Sequence, residues 1–534
     1  MRCNALYVCC FLLLYGCAGV EKHNKFINSD LTINKQLKDI DYLQKKMKNV
    51  QPNLYAYTSK EKLDEKFDSV RKTITKPLKP NEFYFKVAPL LTAVKQGHNN
   101  VLPLQKKYSK EENKKLKKMG LGPMSQFDFK WINSKLYVSK NKSKDTLLKR
   151  GLEVVSIEGL KPQDVYDKYS AVMTSDGYNK TWLPFLFSRR ISSFVFNEIG
   201  LKDSLVYEFK MGDSLIKKTI RRLKKEEKKE FTKKDTIAKD SIKEKKIITT
   251  TEKKAAKKKR KLKRDFKYNY GYDYLTKEYS KVLTFTDVDS TTAIFKIKNF
   301  SKGGYKDTYK EVFTLLQKKE TKNLILDLRN NPGGRLDEIH NLYSYLTQDA
   351  SYQLIENARV TSKISILKAN FFKGMPKFLY VFAVPTYPIY AGISFFRTKK
   401  DDKGYYFRMK SSKIKPQNPA FFKGKIYVLI NGGSFSASCI IASKLKQNPD
   451  ITFVGEETGG DFNGTVAGRV AMQKLPKSKL DVQLWIMEIA ATNKTKTIGR
   501  GIFSDVAIVP TLQDFIEEKD PELDWIKKDI ALKK

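Results

Sequence analysis

Hydrophobic and polar residues repeat with two different periods along this 534-residue chain, and the change of period divides it into regions. Between residues 22 and 107, apolar side chains recur every three or four positions, as on one face of a helix. From Phe127 the short segments FDFKWI, KLYVSK and LEVVSIEG alternate apolar with polar residues, which predicts half-buried strands. We therefore expect a helical N-terminal subdomain (residues 18–115) followed by a β-rich module (residues 116–216).

The C-terminal half alternates apolar runs with amphipathic segments. The runs TAIFKIKNF, NLILDL, KIYVLI and ITFVGE are typical of buried strands, and EVFTLLQKK, LDEIHNLYSYL and SASCIIASKLKQ are typical of helices between them. Strand–helix alternation of this kind predicts an α/β domain with largely parallel strands, which we assign to residues 266–534. The whole chain is too long for one ordinary core, so a multidomain α/β protein is expected.

Two stretches depart from these patterns. Residues 217–265 are lysine-rich with few large apolar side chains, so we predict a disordered insert or a loose solvated helix. Within it, Lys217–Lys263 is either an expanded surface loop or a polybasic arm that contacts anionic lipid. Residues 371–396 are unusually apolar, but their three prolines argue against a membrane-spanning helix. A lid, a substrate groove, a membrane-dipping loop and a buried segment remain as alternatives.

The composition is strongly basic, with 103 Lys+Arg against 58 Asp+Glu and a formal net charge of +45. Such a balance is compatible with an anionic partner, either nucleic acid or a lipid surface. The simpler interpretation is a lysine-rich composition, because lysine is spread along the whole chain.

The N-terminus favours export over nucleic-acid binding. One early arginine precedes an apolar run from Ala5 to Tyr15, which fits the hydrophobic region of a secretory signal. Leu14-Tyr15-Gly16-Cys17 resembles a bacterial lipobox, in which cleavage before the cysteine makes Cys17 the lipidated first residue, and we assign residues 1–17 to a lipoprotein-type signal segment. A plain cleaved signal and an uncleaved anchor are the alternatives, and all three export the protein. We expect a lipid-anchored protein of the cell envelope or periplasm.

Cysteine and histidine are scarce. The five cysteines are at positions 3, 9, 10, 17 and 439, so a chain that begins at an acylated Cys17 retains one free thiol, Cys439, and forms no internal disulfide. None of the three histidines lies near a cysteine pair, and no zinc pattern is present. No metal or cofactor is expected.

A strand followed by a glycine and serine cluster is the first candidate for chemistry. The strand KIYVLI runs into NGGSFSASC, where a helix begins. This arrangement exposes a hydroxyl at a helix N-terminus, whose free N–H groups stabilise developing negative charge. Ser436 is the candidate nucleophile, with a simple helix cap as the alternative. The turn LDLRNNPGG has a similar form, and its Asp327 and Arg329 are interpreted as a structural ion pair.

These two turns resemble the catalytic core of the C-terminal processing (tail-specific) proteases and their tricorn-like relatives. DLRNNPGG resembles the family's D-x-R-x-N-x-G-G turn, and NGGSFSAS its N-x-x-[ST]-x-S-A-S turn. VGEETGG and the segment GRGIFSDVAIVP…DPEL resemble the two motifs that follow. The resemblance implies a crotonase-like core, polypeptide substrates and serine chemistry with Ser436 as nucleophile. GLEVVSIEG also resembles a PDZ strand-turn, so residues 116–216 are either PDZ-like or a generic β-rich insert.

The general base is where the sequence departs from one branch of the family. Members with a Ser/Lys dyad carry lysine where this chain has Asp461, so that dyad is absent. The tricorn-like branch uses a histidine from the N-terminal region, and Gln96-Gly97-His98-Asn99 has a similar context. The resemblance therefore implies His98 as the base.

The remaining roles follow from the same resemblance. It implies oxyanion donors at the backbone N–H of Ala437 and of Gly333 or Gly334. The glutamate that orients the histidine in tricorn-like enzymes has no counterpart, because Ile498 occupies about that place. The candidate orienting acids are Glu488, Glu457 and Asp461. A catalytically silent, peptide-binding envelope lipoprotein of the same fold is the alternative, and the missing acid favours it.

Overall fold

The structure is a computed structural model that describes residues 19–224, 250–286, 290–372, 375–376 and 379–533. Within these residues the chain is a multidomain α/β protein built from helices and three larger β-sheets. The predicted signal segment and Cys17 lie outside the described residues, as does most of the lysine-rich stretch.

The N-terminal region is helical. Ser59 begins its second helix by accepting a hydrogen bond from the Lys62 N–H. Leu63, Phe67 and Val70 then recur at helical spacing and are buried. The helices of this region are Ile33–Val50, Lys60–Lys72, Pro80–Thr92 and Lys110–Lys118.

A five-stranded antiparallel sheet, here the N-terminal sheet, follows. In its first strand Phe127, Phe129 and Trp131 are buried while the residues between them are exposed, which is the alternation that the sequence predicts. Two helices, Pro162–Ser170 and Trp182–Ile199, lie between its third and fourth strands. In spatial order the strands are Phe127–Ile132, Lys135–Asn141, Glu153–Ile157, Ser204–Met211 and Ser214–Arg221.

A six-stranded sheet, here the parallel sheet, forms the C-terminal core. Its strands are parallel except for one edge strand, as the strand–helix alternation predicts. In spatial order they are Val506–Ala507, Thr452–Gly455, Lys425–Ile430, Asn323–Asp327, Thr292–Ile297 and Lys281–Phe285. The neighbouring helices include Tyr305–Lys318, Leu336–Ser344, Ala437–Leu445, Leu512–Glu517 and Pro521–Leu532.

The third sheet connects the two ends of the chain. The short strand Asn100–Leu102 pairs with Asp481–Ala490, so the residues just before it are held against the C-terminal core. This pairing brings the N-terminal helices to the carboxyl ends of the parallel strands. The other strands of the sheet are Gly464–Lys474, Ala358–Arg359, Gly404–Phe407 and Thr398–Asp401.

A fully buried ion pair lies at the edge of the parallel sheet. Lys281 Nζ is 2.8 Å from Glu338 Oε1, and neither side chain has solvent exposure. Lys281 also donates to the Lys302 carbonyl, while Glu338 accepts from Arg335 and from the Tyr309 hydroxyl. The pair therefore connects the edge strand to helix Leu336–Ser344, which follows the glycine turn at 333–334.

Residues 217–265 differ from a disordered insert at their first end, which belongs to a strand, while their last residues form an exposed helix, in agreement with the alternative of a solvated helix. Lys217 lies within strand Ser214–Arg221, where its Nζ is 3.1 Å from Glu208 on the neighbouring strand. At the other end, residues from 250 onward belong to helix Thr250–Asn269, since Ala, Lys, Arg and Leu are strong helix formers. Phe266 packs on Tyr270 in its last turn, with ring centroids 4.3 Å apart. Residues 225–249 lie outside the described part.

The apolar stretch at residues 371–396 is not buried. Its described residues form two short helices, Tyr380–Ala383 and Tyr387–Arg397, and most of their large side chains face solvent. The interpretation as a buried segment is therefore wrong. In the described residues we find no helix that is both long enough and apolar enough to cross a membrane.

Candidate active site

Ser436 lies at the junction of strand Lys425–Ile430 and helix Ala437–Leu445. Its backbone has φ 56° and ψ −119°, a conformation that residues other than glycine rarely adopt. Strain of this kind costs about 1–3 kcal/mol and persists only where the surroundings enforce it. A strained strand-to-helix turn holds a serine hydroxyl away from its own helix, as in the nucleophile elbow of α/β-hydrolases. The helix-cap alternative loses support, since Ser436 makes no side-chain cap hydrogen bond.

The contacts that hold the Ser436 turn in this conformation are made with the other glycine-rich turn, at residues 328–331. Ser434 Oγ donates to the Leu328 carbonyl at 2.8 Å, and Ser438 Oγ donates to the Asn331 carbonyl at 2.9 Å. The N–H of Phe435 also donates to the Asn331 carbonyl, at 3.0 Å. The serines on either side of Ser436 thus tie its turn to residues 328–331, and Ser436 itself is left free for other contacts.

The structure brings His98 to Ser436. Although the two residues are 338 positions apart, His98 Nε2 is 3.0 Å from Ser436 Oγ. The histidine ring lies between Phe435 and Trp485, with centroid distances of 5.1 and 5.3 Å. The other two histidines are elsewhere: His23 contacts the Gln105 carbonyl, and His340 is buried beside Tyr352.

The loop that carries His98 is held from both sides. The buried Thr174 hydroxyl contacts the carbonyls of Gly97 and Asn99, at 2.9 and 2.7 Å. The Asn99 side chain accepts a hydrogen bond from the Trp485 N–H at 3.1 Å. These contacts fix the backbone on each side of His98, so the ring position does not depend on the Ser436 contact alone.

Burial between aromatic rings lowers the pKa of His98 to about 4. The imidazole is therefore neutral, and able to accept a proton, at all pH values well above 4. We expect the acidic limb of the pH profile of kcat/KM to lie below pH 5, not near 6.5, the ordinary histidine pKa. Trp485→Ser should admit water and move this limb toward 6.5, whereas Trp525→Ser on the C-terminal helix should not. An acidic limb near 6.5 in the wild type would contradict this assignment.

The three candidate orienting acids have other partners. Glu488 accepts from Asn53 Nδ2 at 2.8 Å, and Glu457 pairs with Arg500 at 2.5 Å. Asp461 accepts from the Tyr57 hydroxyl at 2.9 Å. Among the described residues we find no carboxylate hydrogen-bonded to His98. His98 therefore lacks, within the described residues, the charged partner that usually stabilises a catalytic histidine cation.

Asp176 is the acid nearest to the histidine loop, and the sequence analysis missed it. It is 2% exposed, and its Oδ1 accepts from the Gly97 N–H at 2.7 Å and from the Thr465 hydroxyl at 3.2 Å. Burial raises the pKa of Asp176 to about 7. Asp176 thus positions the residue before His98 through its backbone, without touching the imidazole. The segment SDGYNK around it has the composition of an ordinary turn, so no local signal marks this role.

The two glycines predicted to supply an oxyanion donor differ in their contacts. The N–H of Gly333 donates to Asn331 Oδ1 at 2.9 Å, so it is already engaged. Gly333 has φ +93°, and a Cβ there would lie 2.8 Å from the Ala437 nitrogen and 2.9 Å from Ser436 Cβ. Only glycine therefore leaves room beside the nucleophile. For the N–H groups of Gly334 and Ala437 we find no acceptor among the described residues.

Within the described residues, no group of three or more His, Cys, Asp or Glu side chains has an arrangement that could hold a metal ion.

Comparisons with known proteins give a family and a fold. Residues 291–508 match the model of peptidase family S41. A comparison with curated proteins finds no match. Among solved structures, mature CPAF complexed with lactacystin has a TM-score of 0.57 at 14% identity, over 93% of this chain and 98% of that chain. Mature CPAF has a TM-score of 0.54 at 14% identity, over 93% and 97%. At these identities the likeness shows a shared fold.

Proposed function

We propose that this protein is a serine protease that hydrolyses peptide bonds with a Ser436–His98 pair, because residues 291–508 match the model of peptidase family S41. The observation that supports the pair is the 3.0 Å contact between His98 Nε2 and Ser436 Oγ. This distance is within hydrogen-bond reach for proton transfer. A histidine as base fits the tricorn-like branch of the family better than the Ser/Lys branch.

In the proposed reaction Ser436 Oγ attacks the scissile carbonyl while its proton passes to His98 Nε2. The carbonyl oxygen becomes an oxyanion, which the N–H groups of Ala437 and Gly334 stabilise. The intermediate collapses to an acyl-enzyme as His98 returns the proton to the leaving amine. Water then attacks the ester with His98 again as base, which releases the new carboxyl terminus and restores Ser436.

In this scheme the protonated form of His98 is less stable than it would be with a hydrogen-bonded carboxylate, and none is found among the described residues. His98 carries a positive charge during each attack, and the rings of Phe435 and Trp485 lie beside that charge, while no carboxylate of the described residues is hydrogen-bonded to it. Aromatic rings stabilise a cation by about 0.5–2 kcal/mol. Turnover should therefore be slower than in a serine protease with a charged third member. This feature also favours the second candidate function, a silent peptide-binding protein.

Labelling with a fluorophosphonate probe separates the two candidates, because the probe reacts with a serine that is activated by a base. We expect the wild type to be labelled and His98→Ala to lose nearly all labelling. His23→Ala, which alters an exposed histidine far from Ser436 in the fold, is the matched control. A wild type that neither reacts with the probe nor cleaves casein or peptide libraries would establish the silent binder.

The finer architecture belongs to the same proposal. We assign the core (residues 266–534) to the crotonase-like fold and the module at residues 116–216 to a PDZ-like domain that presents substrate. The stacking of Trp182 on Phe435, with centroids 4.1 Å apart, supports a role for the module next to the nucleophile. The helical subdomain (residues 18–115) supplies the base.

For location, we propose an exported lipoprotein of the cell envelope, held in the membrane by acylated Cys17, with Lys217–Lys263 near anionic headgroups. The support is the sequence Leu14-Tyr15-Gly16-Cys17 after an apolar run. Metabolic labelling with radioactive palmitate should mark the wild type and not Cys17→Ser. Equal labelling of both would reject this anchor.

A further inference from the structure

The stretch from Leu379 to Phe396, here called the apolar segment, stands out in a highly charged chain. Its eighteen residues contain no Asp, Glu, Lys or Arg, although 30% of the chain is charged. The segment forms helix Tyr380–Ala383, a short 3-10 turn and helix Tyr387–Arg397. Pro385 and Pro388 divide it into pieces too short to cross a bilayer.

The large side chains of the apolar segment are exposed. Phe382 and Phe396 are each 72% exposed, Val381 68% and Ile389 66%. Val384, Ile393 and Phe395 are also exposed. Leu379 is 37% exposed as well. Single exposed apolar residues are common on protein surfaces, but a cluster of eight in one segment marks an interaction surface.

The inner side of the apolar segment is packed against the rest of the protein, and this packing leaves the large side chains on the outer side exposed. Ala383 and Ser394 are buried, and Tyr387 and Tyr390 pack with Phe371 in an aromatic cluster below the helices. The Ser394 carbonyl accepts a hydrogen bond from the Thr398 hydroxyl at 2.8 Å, which fixes the end of the second helix. The apolar face is therefore a built surface of the fold.

Positive charge borders this face. The helix runs into a hairpin, Thr398–Asp401 with Gly404–Phe407, that carries exposed Lys399, Lys400 and Lys403. The hairpin's Asp401 is paired with Arg359, whose two nitrogens lie 2.6 and 2.9 Å from its oxygens. Asp402 in the turn is exposed, so the three lysines outnumber the hairpin's one other carboxylate and the exposed charge is net positive.

We propose that the apolar segment docks on the surface of an anionic phospholipid bilayer. Its phenylalanines, valines and isoleucines would enter the boundary between headgroups and acyl chains, as interfacial helices do. The lysines of the hairpin would contact the phosphate groups, since long basic side chains extend to the interface while their stems remain on apolar surface. The uncharged apolar face thus matches the hydrocarbon layer of the bilayer, and the lysines that border it match the anionic headgroups.

The proposal does not depend on the proposed catalysis, and it gives the predicted lipid anchor a second membrane contact. One acyl chain provides only marginal, reversible membrane binding, and stable attachment takes two signals. The apolar segment supplies such a signal from a region far along the chain from Cys17.

Insertion at this place can be measured with a tryptophan probe. In the full chain carrying Cys17→Ser, Phe382→Trp places a fluorophore on the segment. Vesicles of phosphatidylcholine and phosphatidylglycerol with brominated acyl chains should quench the tryptophan fluorescence of this variant more strongly than that of the chain that keeps Phe382. Quenching should weaken markedly in phosphatidylcholine alone. Absence of extra quenching at position 382 would overturn the proposal.

A binding experiment separates the bilayer from other partners. Phe382→Ser with Phe396→Ser should lower the partition of the chain into anionic vesicles at least about tenfold, given the apolar area of two phenylalanines. Tyr274→Ser with Leu275→Ser, at another exposed site, is the matched control, and the N-terminal apolar segment contributes equally to all variants. Hydrolysis of soluble peptides should be unchanged. Unchanged vesicle binding, or a concentration-dependent dimer that the double variant abolishes, would reject the bilayer as the occupant.

Discussion

Ser436→Ala is expected to lower kcat/KM for peptide hydrolysis by about 10⁴-fold or more, the usual effect of removing the nucleophile of a serine hydrolase. The reason is geometric: Ser436 Oγ lies 3.0 Å from His98 Nε2, on a strained turn that its neighbours stabilise. The measurement is cleavage of an internally quenched peptide library, with far-UV circular dichroism to verify the fold. Substrate binding by the variant should persist, because alanine leaves the rest of the cleft unchanged.

Ser443→Ala is the matched control for this substitution. Ser443 lies in the helix that begins directly after Ser436 and is fully buried, and its hydroxyl donates to the Ile440 carbonyl within the helix. We expect its activity to stay within a few-fold of the wild type. If Ser436→Ala retained a tenth or more of the wild-type activity, another residue would be the nucleophile.

Lys281→Met is expected to reduce the free energy of unfolding by about 3–5 kcal/mol, the cost of removing one partner of a buried ion pair. The substitution leaves the Glu338 carboxylate with no solvent exposure and with Arg335 as its only cation in the described structure. Urea unfolding followed by tryptophan fluorescence measures the loss. Since whole-domain stability is about 5–15 kcal/mol, the effect is large.

The double variant Lys281→Met with Glu338→Gln tests the cause. Glutamine removes the charge but still accepts a hydrogen bond from the Tyr309 hydroxyl, which lies 3.0 Å from Glu338 Oε1. We expect the double variant to recover more than half of the stability lost by Lys281→Met. A double variant less stable than Lys281→Met would show that packing, not the unpaired charge, accounts for the loss.

The sequence predicts those parts of the fold that depend on short-range patterns. The apolar runs of the parallel sheet and the alternation at Phe127, Phe129 and Trp131 have the predicted structure, because burial on one face requires a local period. The two glycine-rich turns are also local motifs. Their joint resemblance to the processing proteases is the basis for proposing Ser436 as the nucleophile, and the S41 match over residues 291–508 supports the same enzyme class.

Features that depend on distant parts of the chain are not predictable in this way. Asp176 supports the His98 loop by accepting a hydrogen bond from the backbone N–H of Gly97, 79 positions away. Nothing in the sequence distinguishes Asp176 from any other acidic residue in a turn. For the same reason Glu488 and Glu457 were candidates by residue type, while their actual partners are Asn53 and Arg500. The exposure of Phe382 likewise depends on whether distant parts of the chain pack over it. The same apolar run in the sequence is compatible with a core and with a surface.

Because His98 and Ser436 are 338 positions apart in the sequence, the proposed catalytic pair cannot form until distant parts of the chain have come together. An unfolded chain holds its nucleophile and base far apart, so it contains no active site while its own peptide bonds are most accessible. The pair meets only when strand Asn100–Leu102 pairs with Asp481–Ala490, near the end of the sequence. Under the proposed mechanism, hydrolytic activity would therefore begin only after this late pairing of the two strands, when most of the chain is already folded.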